Sequence, residues 1–268
     1  MARSTFYYNL RPKEDKYALI RRRISELFEA HKGYYGSRRI TLSLQSEGIK
    51  INHKTVERLM REEGLHGKQH RRKYRSYRGL VGKIAPNVIN RDFYASMPYQ
   101  KLATDVTQLA IGDRKVYLSP IMDMFNGEII SYTICEHPDL TMVTQMLQQT
   151  ICRLPKTEGV ILHSDQGWHY QHRGYQHILQ VNGMIQSMSR KGNCLDNAMM
   201  ENFFGRLKTE LVYGNRFENV EDFRRKCSQY IDYYNNQRIK LRLKMSPKAY
   251  RELNIKQKNN IYKIENLI

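Results

Sequence analysis

The sequence predicts an α/β protein: a mixed five-stranded sheet flanked by helices, preceded by a small all-α domain of helix-turn-helix character. Three observations predict it. Residues 17–64 carry apolar side chains at helical spacing, in short runs punctuated by Gly33, Gly48 and Gly64. From residue 99 the period changes to alternation, with an Asn126-Gly127 hairpin signal. Beyond that, helical patterns alternate with short apolar strands, as expected where helices cover both faces of a sheet.

The elements follow in order. Residues 1–16 form a lead segment. In "YALIRRRISELFEAHKG", Tyr17, Ile20, Ile24, Leu27 and Phe28 share one stripe, with arginines opposite. "YGSRRITLSLQSEG" follows, with Ser37 as its expected cap and Ile40 and Leu44 apolar. A third helix starts at Asn52 and turns Val56, Leu59 and Met60 inward. Three short helices over residues 17–65 match a helix-turn-helix unit, whose last helix enters a DNA groove. His53, Lys54, Glu57, Arg58 and Arg61 are its exposed candidates; a bundle serving only protein packing is the alternative. Residues 66–98 read as a linker. Its "HRRKYRSYRG" interleaves Arg71, Arg72, Lys73 and Arg75, which neutralise phosphates, with Tyr74 and Tyr77, which stack on bases; a plain solvated tether is the competing reading.

Residues 99–250 form the α/β core. "KLATDVTQLAIG" reads as one alternating strand with Asp105 in its middle. "RKVYLSPIMDMFNGEIISYTICE" supplies two more strands, and "DLTMVTQMLQQTICRL" a helix capped by Asp139 or Thr141. "GVILHS" is a buried strand that ends at Asp165; "GYQHILQVNG" is a helix and "MIQSMS" a last strand. Long helices over 197–212 and from 219 to about 235 close the core. Residues 251–268 are a tail.

The charge is +19, and it is uneven: residues 1–85 hold 21 Lys and Arg against 8 acids. A basic front third points to a polyanion, hence nucleic acid. Four separated cysteines suggest reduced thiols, and no segment reads as a membrane span or signal peptide. A cytoplasmic protein is expected.

An acid inside a central strand is costly unless paired or metal-bound, and strand ends of open sheets are where sites form. Asp105 and Asp165 meet these conditions. A third acid, Glu201, lies beside the buried stripe Met200, Phe204, Leu207 and Leu211. At about 100° per residue, Asn197 and Lys208 share its flank. Asp105 and Asp165 as turn or capping acids, Glu201 as a surface acid and Lys208 as its ion-pair partner are the competing readings. His163 and Trp168 read as packing residues, Asp123 and Asp196 as a strand end and a helix cap. Gly167 is expected to let a DNA phosphate approach. Ser189, Arg190 and Asn193 fall in a loop that either touches a DNA backbone or is plain structure.

"HSDQGWHY", "SMSRKGNCLDNAMMENFFGRLKTEL", "YYNNQRIKLRLKMSPKAY" and "GYYGSRRI" resemble the second reading-frame product of the "insertion sequence three" family of bacterial transposases. The likeness runs over residues 3–252, and 35 residues separate Asp165 from Glu201, as in the D,D-35-E triad of integrase-like enzymes. The resemblance implies a ribonuclease-H-like fold, with two Mg²⁺ ions, or Mn²⁺ as a substitute, held by Asp105, Asp165 and Glu201. It implies that Lys208 holds the DNA end. The implied partners are transposon ends and target DNA, a homodimer or higher oligomer on DNA, and the upstream reading-frame product. No cysteine precedes Cys135, a departure from retroviral integrases, whose front domain binds zinc. A DNA-binding regulator with an inert core, and a nuclease that cuts without joining, are the alternative activities.

Overall fold

A computed structural model describes residues 15–68 and 82–265. The chain divides into two compact units, Met1–Arg71 and Arg72–Ile268.

The first unit has three helices, α1 (Ala18–Ala30), α2 (Ser37–Ser46) and α3 (His53–Glu62). Ile24, Leu27, Tyr35, Ile40, Leu44, Val56, Leu59 and Met60 form its core. Asn52 caps α3, its side chain accepting the Lys54 N–H at 3.0 Å. Gly36, not Ser37, caps α2. Arg21 on α1 bridges to Glu62 and Glu63 at the end of α3, and Arg23 reaches Glu47 at 2.6 Å. Arg71, Arg72, Lys73, Arg75, Tyr74 and Tyr77 lie outside the described residues.

The second unit is built on a mixed sheet of β1 (Lys101–Thr104), β2 (Thr107–Ile111), β3 (Arg114–Asp123), β4 (Ile129–Cys135), β5 (Ile161–Ser164) and β6 (Ile185–Met188). β3 pairs antiparallel with β4 on one side and with β1 and β2 on the other; β1, β5 and β6 run parallel. One face is covered by α4 (Leu140–Arg153), the turn α5 (Trp168–Gln171) and α6 (Arg173–Val181), with Leu102, Ile121, Val143, Met146, Leu147, Leu162 and Tyr170 between. The other is covered by α7 (Ala198–Leu207) and α8 (Val220–Asn236), whose Met200, Phe203, Phe204, Leu207, Phe223 and Tyr230 pack on Ala103, Leu109, Val116 and Leu118. A final helix, α9 (Pro247–Glu265), takes up most of the expected tail.

The sheet has six strands rather than five because the first strand is broken at Asp105 and Val106. Thr104 stands opposite Ile121, and Thr107 opposite Leu118. That register sets Asp105 opposite Pro120. The Pro120 carbonyl faces β1, where it accepts the Thr104 hydroxyl at 2.9 Å. In an antiparallel pair a residue's N–H and C=O point the same way, so the donor that proline lacks is the one Asp105 needed. The ladder opens there.

The helix expected over 197–212 is three pieces: a 3₁₀ turn over Cys194–Asn197, then α7, then a π-helical turn over Lys208–Val212. Residues 85–89 of the expected linker dock on the edge of β6. There Ser187 Oγ accepts the Val88 N–H at 2.9 Å and Ile89 joins the core. Among the described residues no helix is long and apolar enough to cross a membrane.

Candidate active site

Two neighbouring parallel strands bring the first two acids together. Lys101 stands beside Ile161, Leu102 beside Leu162 and Ala103 beside His163. Continued by two residues, that register sets Asp105 level with Asp165, where strands lie about 4.8 Å apart. Side chains alternate through the break: Leu102 and Val106 pack on the α4 face, Ala103 and Leu109 on the α7 face. Asp105 belongs to the second set, the side from which α7 approaches.

Each aspartate is held by the backbone it belongs to. Asp105 Oδ1 accepts the Val106 N–H at 2.7 Å, and Asp165 Oδ1 accepts the Gly167 N–H at 2.8 Å. A Cβ on Gly167 would lie 2.9 Å from Asp165 Oδ1 and 3.0 Å from the His169 ring. Glycine at 167 therefore accommodates the folded-back carboxylate and the imidazole.

Three charged groups act on Asp105 here. Burial first, then the negative charges of Asp165 and Glu201, push the Asp105 carboxyl well above the ordinary range; the Val106 N–H and the positive Lys208 pull it the other way. Burial likewise raises Asp165, against the Gly167 N–H. Lys208 is half-buried, which lowers its pKa, while Asp105 raises it. Glu201 in the first turns of α7 and Lys208 in the π turn thus both lie within electrostatic reach of Asp105. Among the described residues no three His, Cys, Asp or Glu side chains converge into a ready-made metal cage; the acids sit at Coulombic range. Their donor set nevertheless suits a hard divalent cation: oxygen only, crowded with like charge.

The loop over 189–196 is fastened from inside. Asp196, fully buried, accepts the Arg190 N–H at 3.0 Å, Arg190 Nε at 2.9 Å and Arg91 Nε at 2.8 Å. These cations hold its carboxyl far below the usual range. Asp196 is therefore an anchor for two guanidinium groups and not the helix cap expected: it lies within the 3₁₀ turn, and Asn197 occupies the cap position of α7. Arg190, expected on DNA, has its fork committed to Asp196, and Asn193 Oδ1 accepts from Arg91 at 3.0 Å. Ser189 is buried, with its hydroxyl between His163 Nε2 at 3.1 Å and the Ser164 carbonyl at 3.2 Å. Its place is internal, which corrects the expectation of a backbone contact. His163 is a core residue bonded to Ser187. Trp168 is not: it is 46% exposed, edge-on to His169.

In the first unit, Lys54, Arg58 and Arg61 are exposed on α3, with Arg58 bonded to Glu62 at 2.7 Å and lying over the Tyr17 ring. Sequence reasoning missed Pro120, whose presence inside a strand pattern was the available signal. It also missed the buried pair of Glu210 in the π turn and Arg238, where Arg238 Nε lies 2.8 Å from Glu210 Oε2 and Tyr230 donates at 3.0 Å.

A ribonuclease-H-like mixed sheet flanked by helices is the architecture of the integrase-type polynucleotidyl transferase core. Residues 95–194 and 201–255 match the integrase core domain, and residues 14–73 an HTH-like domain. The chain is 52% identical over 252 residues, 93% of its length and 89% of the relative's, to the putative transposase InsK for insertion sequence element IS150 of Escherichia coli. It is 53% identical over 206 residues, 76% of its length and 95% of the relative's, to a transposase-like protein of Haemophilus influenzae. The chain belongs to the transposases of the "insertion sequence three" family. A chain of the simian T-cell lymphotropic virus intasome is similar at 15% identity and a TM-score of 0.47, covering 81% of this chain and 70% of that one.

Proposed function

We propose that this transposase frees the 3′ end of its element by phosphodiester hydrolysis and then joins that 3′-hydroxyl to target DNA. Asp105, Asp165 and Glu201 are its catalytic, metal-holding acids, and Lys208 holds the DNA end. The observation that supports the reading is the parallel register of β1 and β5, which sets Asp105 level with Asp165, with the charges of Asp165, Glu201 and Lys208 all acting on Asp105. Two Mg²⁺ ions, or Mn²⁺ in their place, would supply charge neutralisation and Lewis acidity for the attacking and leaving oxygens.

The chain's own residues do the rest. Backbone N–H groups of Val106 and Gly167 fix the two aspartates, so little reorganisation remains when substrate arrives. Lys208 meets a DNA phosphate beside Asp105 as a point charge. Water serves as nucleophile in the first step and a 3′-hydroxyl in the second; no side chain need form a covalent intermediate. Lys54, Arg58 and Arg61 on α3 take a DNA groove, and Arg71, Arg72, Lys73 and Arg75 neutralise phosphates. Pairing of two ends calls for a homodimer or larger assembly on DNA, and the upstream reading-frame product is a further partner.

The test supplies a labelled transposon-end duplex with Mg²⁺ to wild type and Glu201→Gln. Joined products from wild type, falling by a factor of about 10³ or more in the variant, are expected. Hydrolysis without joining would mark a nuclease. No metal-dependent product from either protein would mark a DNA-binding regulator.

A further inference from the structure

Asp105 lies where the charges of Asp165 and Glu201 both disfavour its ionised form, so something other than these acids must hold their supporting elements. We propose that Thr104 is a positioning residue, a hydrogen-bonded hub that ties the strand end bearing Asp105 to the turn bearing Asp165 and the helix bearing Glu201. The inference rests on the catalytic assignment above.

Thr104 directly precedes Asp105 and is fully buried, as is Tyr170. Its hydroxyl donates to the Pro120 carbonyl at 2.9 Å. That leaves its lone pair for the Tyr170 hydroxyl, which donates at 3.2 Å from the turn immediately after Asp165. On the other side, the Thr104 carbonyl points past the last paired residues of β1 and β5, where no strand partner reaches it. Asn197 Nδ2 donates to it there at 3.1 Å, four residues ahead of Glu201. One residue thus receives a bond from the turn that follows Asp165 and another from the 3₁₀ turn that leads into α7, and its hydroxyl closes the gap in the ladder that Pro120 opens. The arrangement depends on the hydroxyl: valine has the same shape but neither donates nor accepts.

The experiment compares full-length wild type with Thr104→Val, Thr104→Ser and Tyr170→Phe. Mn²⁺ affinity is read from the free-ion electron paramagnetic resonance signal. Exchange rates of the Val106 and Gly167 amides, each held by a catalytic carboxylate, are read in metal-free protein. Residues that orient metal ligands typically cost 10–100-fold in affinity when removed. Thr104→Val and Tyr170→Phe should each weaken Mn²⁺ binding by roughly tenfold and accelerate both amides, while Thr104→Ser restores wild-type values. The double variant Thr104→Val/Tyr170→Phe should be no worse than Thr104→Val alone, because the bond that Tyr170→Phe removes is already lost there. Wild-type exchange and affinity in Thr104→Val and Tyr170→Phe would overturn the hub. An Asp105→Asn variant that bound Mn²⁺ as wild type does would instead defeat the metal assignment, and the exchange rates alone would then judge Thr104.

Discussion

His169 shows how a single buried group sets a pH response. Its ring is 8% exposed, and burial lowers its pKa to about 4. Neither ring nitrogen has a hydrogen-bond partner among the described residues. An unfolded histidine takes up its proton near pH 6.5, whereas the folded one does so only near pH 4. Between those values the unfolded chain binds more protons, so the group costs stability as pH falls. At pH 5 the loss amounts to about 2 kcal/mol. Urea unfolding at pH 7.5 and pH 5 should show wild type losing about that much more than His169→Gln. Equal losses would remove the buried neutral imidazole from the account. The residue was silent in the sequence, where His169 is one of 9 histidines and nothing local distinguishes it.

The π turn after α7 shows the same for a whole element. Helical spacing put Glu201 and Lys208 on one flank and ran a regular helix through residue 212, where the structure has a π turn over Lys208–Val212. What the spacing lacked was Arg238, 28 positions beyond Glu210. Arg238 is 2% exposed and held firmly protonated by Glu210, which also receives Tyr230. A buried charge left alone is strongly destabilising, while an apolar replacement of the whole pair is close to neutral. Arg238→Met should therefore cost roughly 3–5 kcal/mol in chemical denaturation, and Glu210→Leu/Arg238→Met should recover most of it. If the double variant is as unstable as the single one, the pair does not fasten the turn. The break at Asp105 has a similar origin. Alternation marked Asp105 as the odd polar residue of its strand, but the opening of the ladder is decided by Pro120 on the partner strand.

Across the protein, charge dominates what it meets. With +19 overall and 21 of its 45 basic residues in the first 85 positions, DNA affinity should depend steeply on salt. Contact with six to ten phosphates predicts a fall of roughly 10³–10⁵ between 50 and 200 mM salt. Fluorescence anisotropy with a labelled duplex measures it, and a slope near zero would rule out an electrostatic footprint. This expectation was legible from composition, because charge content needs no fold. So were the helical unit at the front and the apolar faces of the strands. Periodicity reports which side of an element is apolar, and each acid interrupts a local pattern.

That residues 105, 165 and 201 come near one another was implied by the family resemblance and not by any local pattern. Their proximity depends on β1 and β5 pairing in parallel with a 60-residue offset that sets Asp105 level with Asp165, and on α7 packing against the same sheet face. Strand register and helix docking are choices among long-range partners, made by the summed burial of the two core faces and by backbone groups that must each find a bond. A local window contains neither sum. The sequence therefore named the residues and their faces, and only the packed sheet made them neighbours.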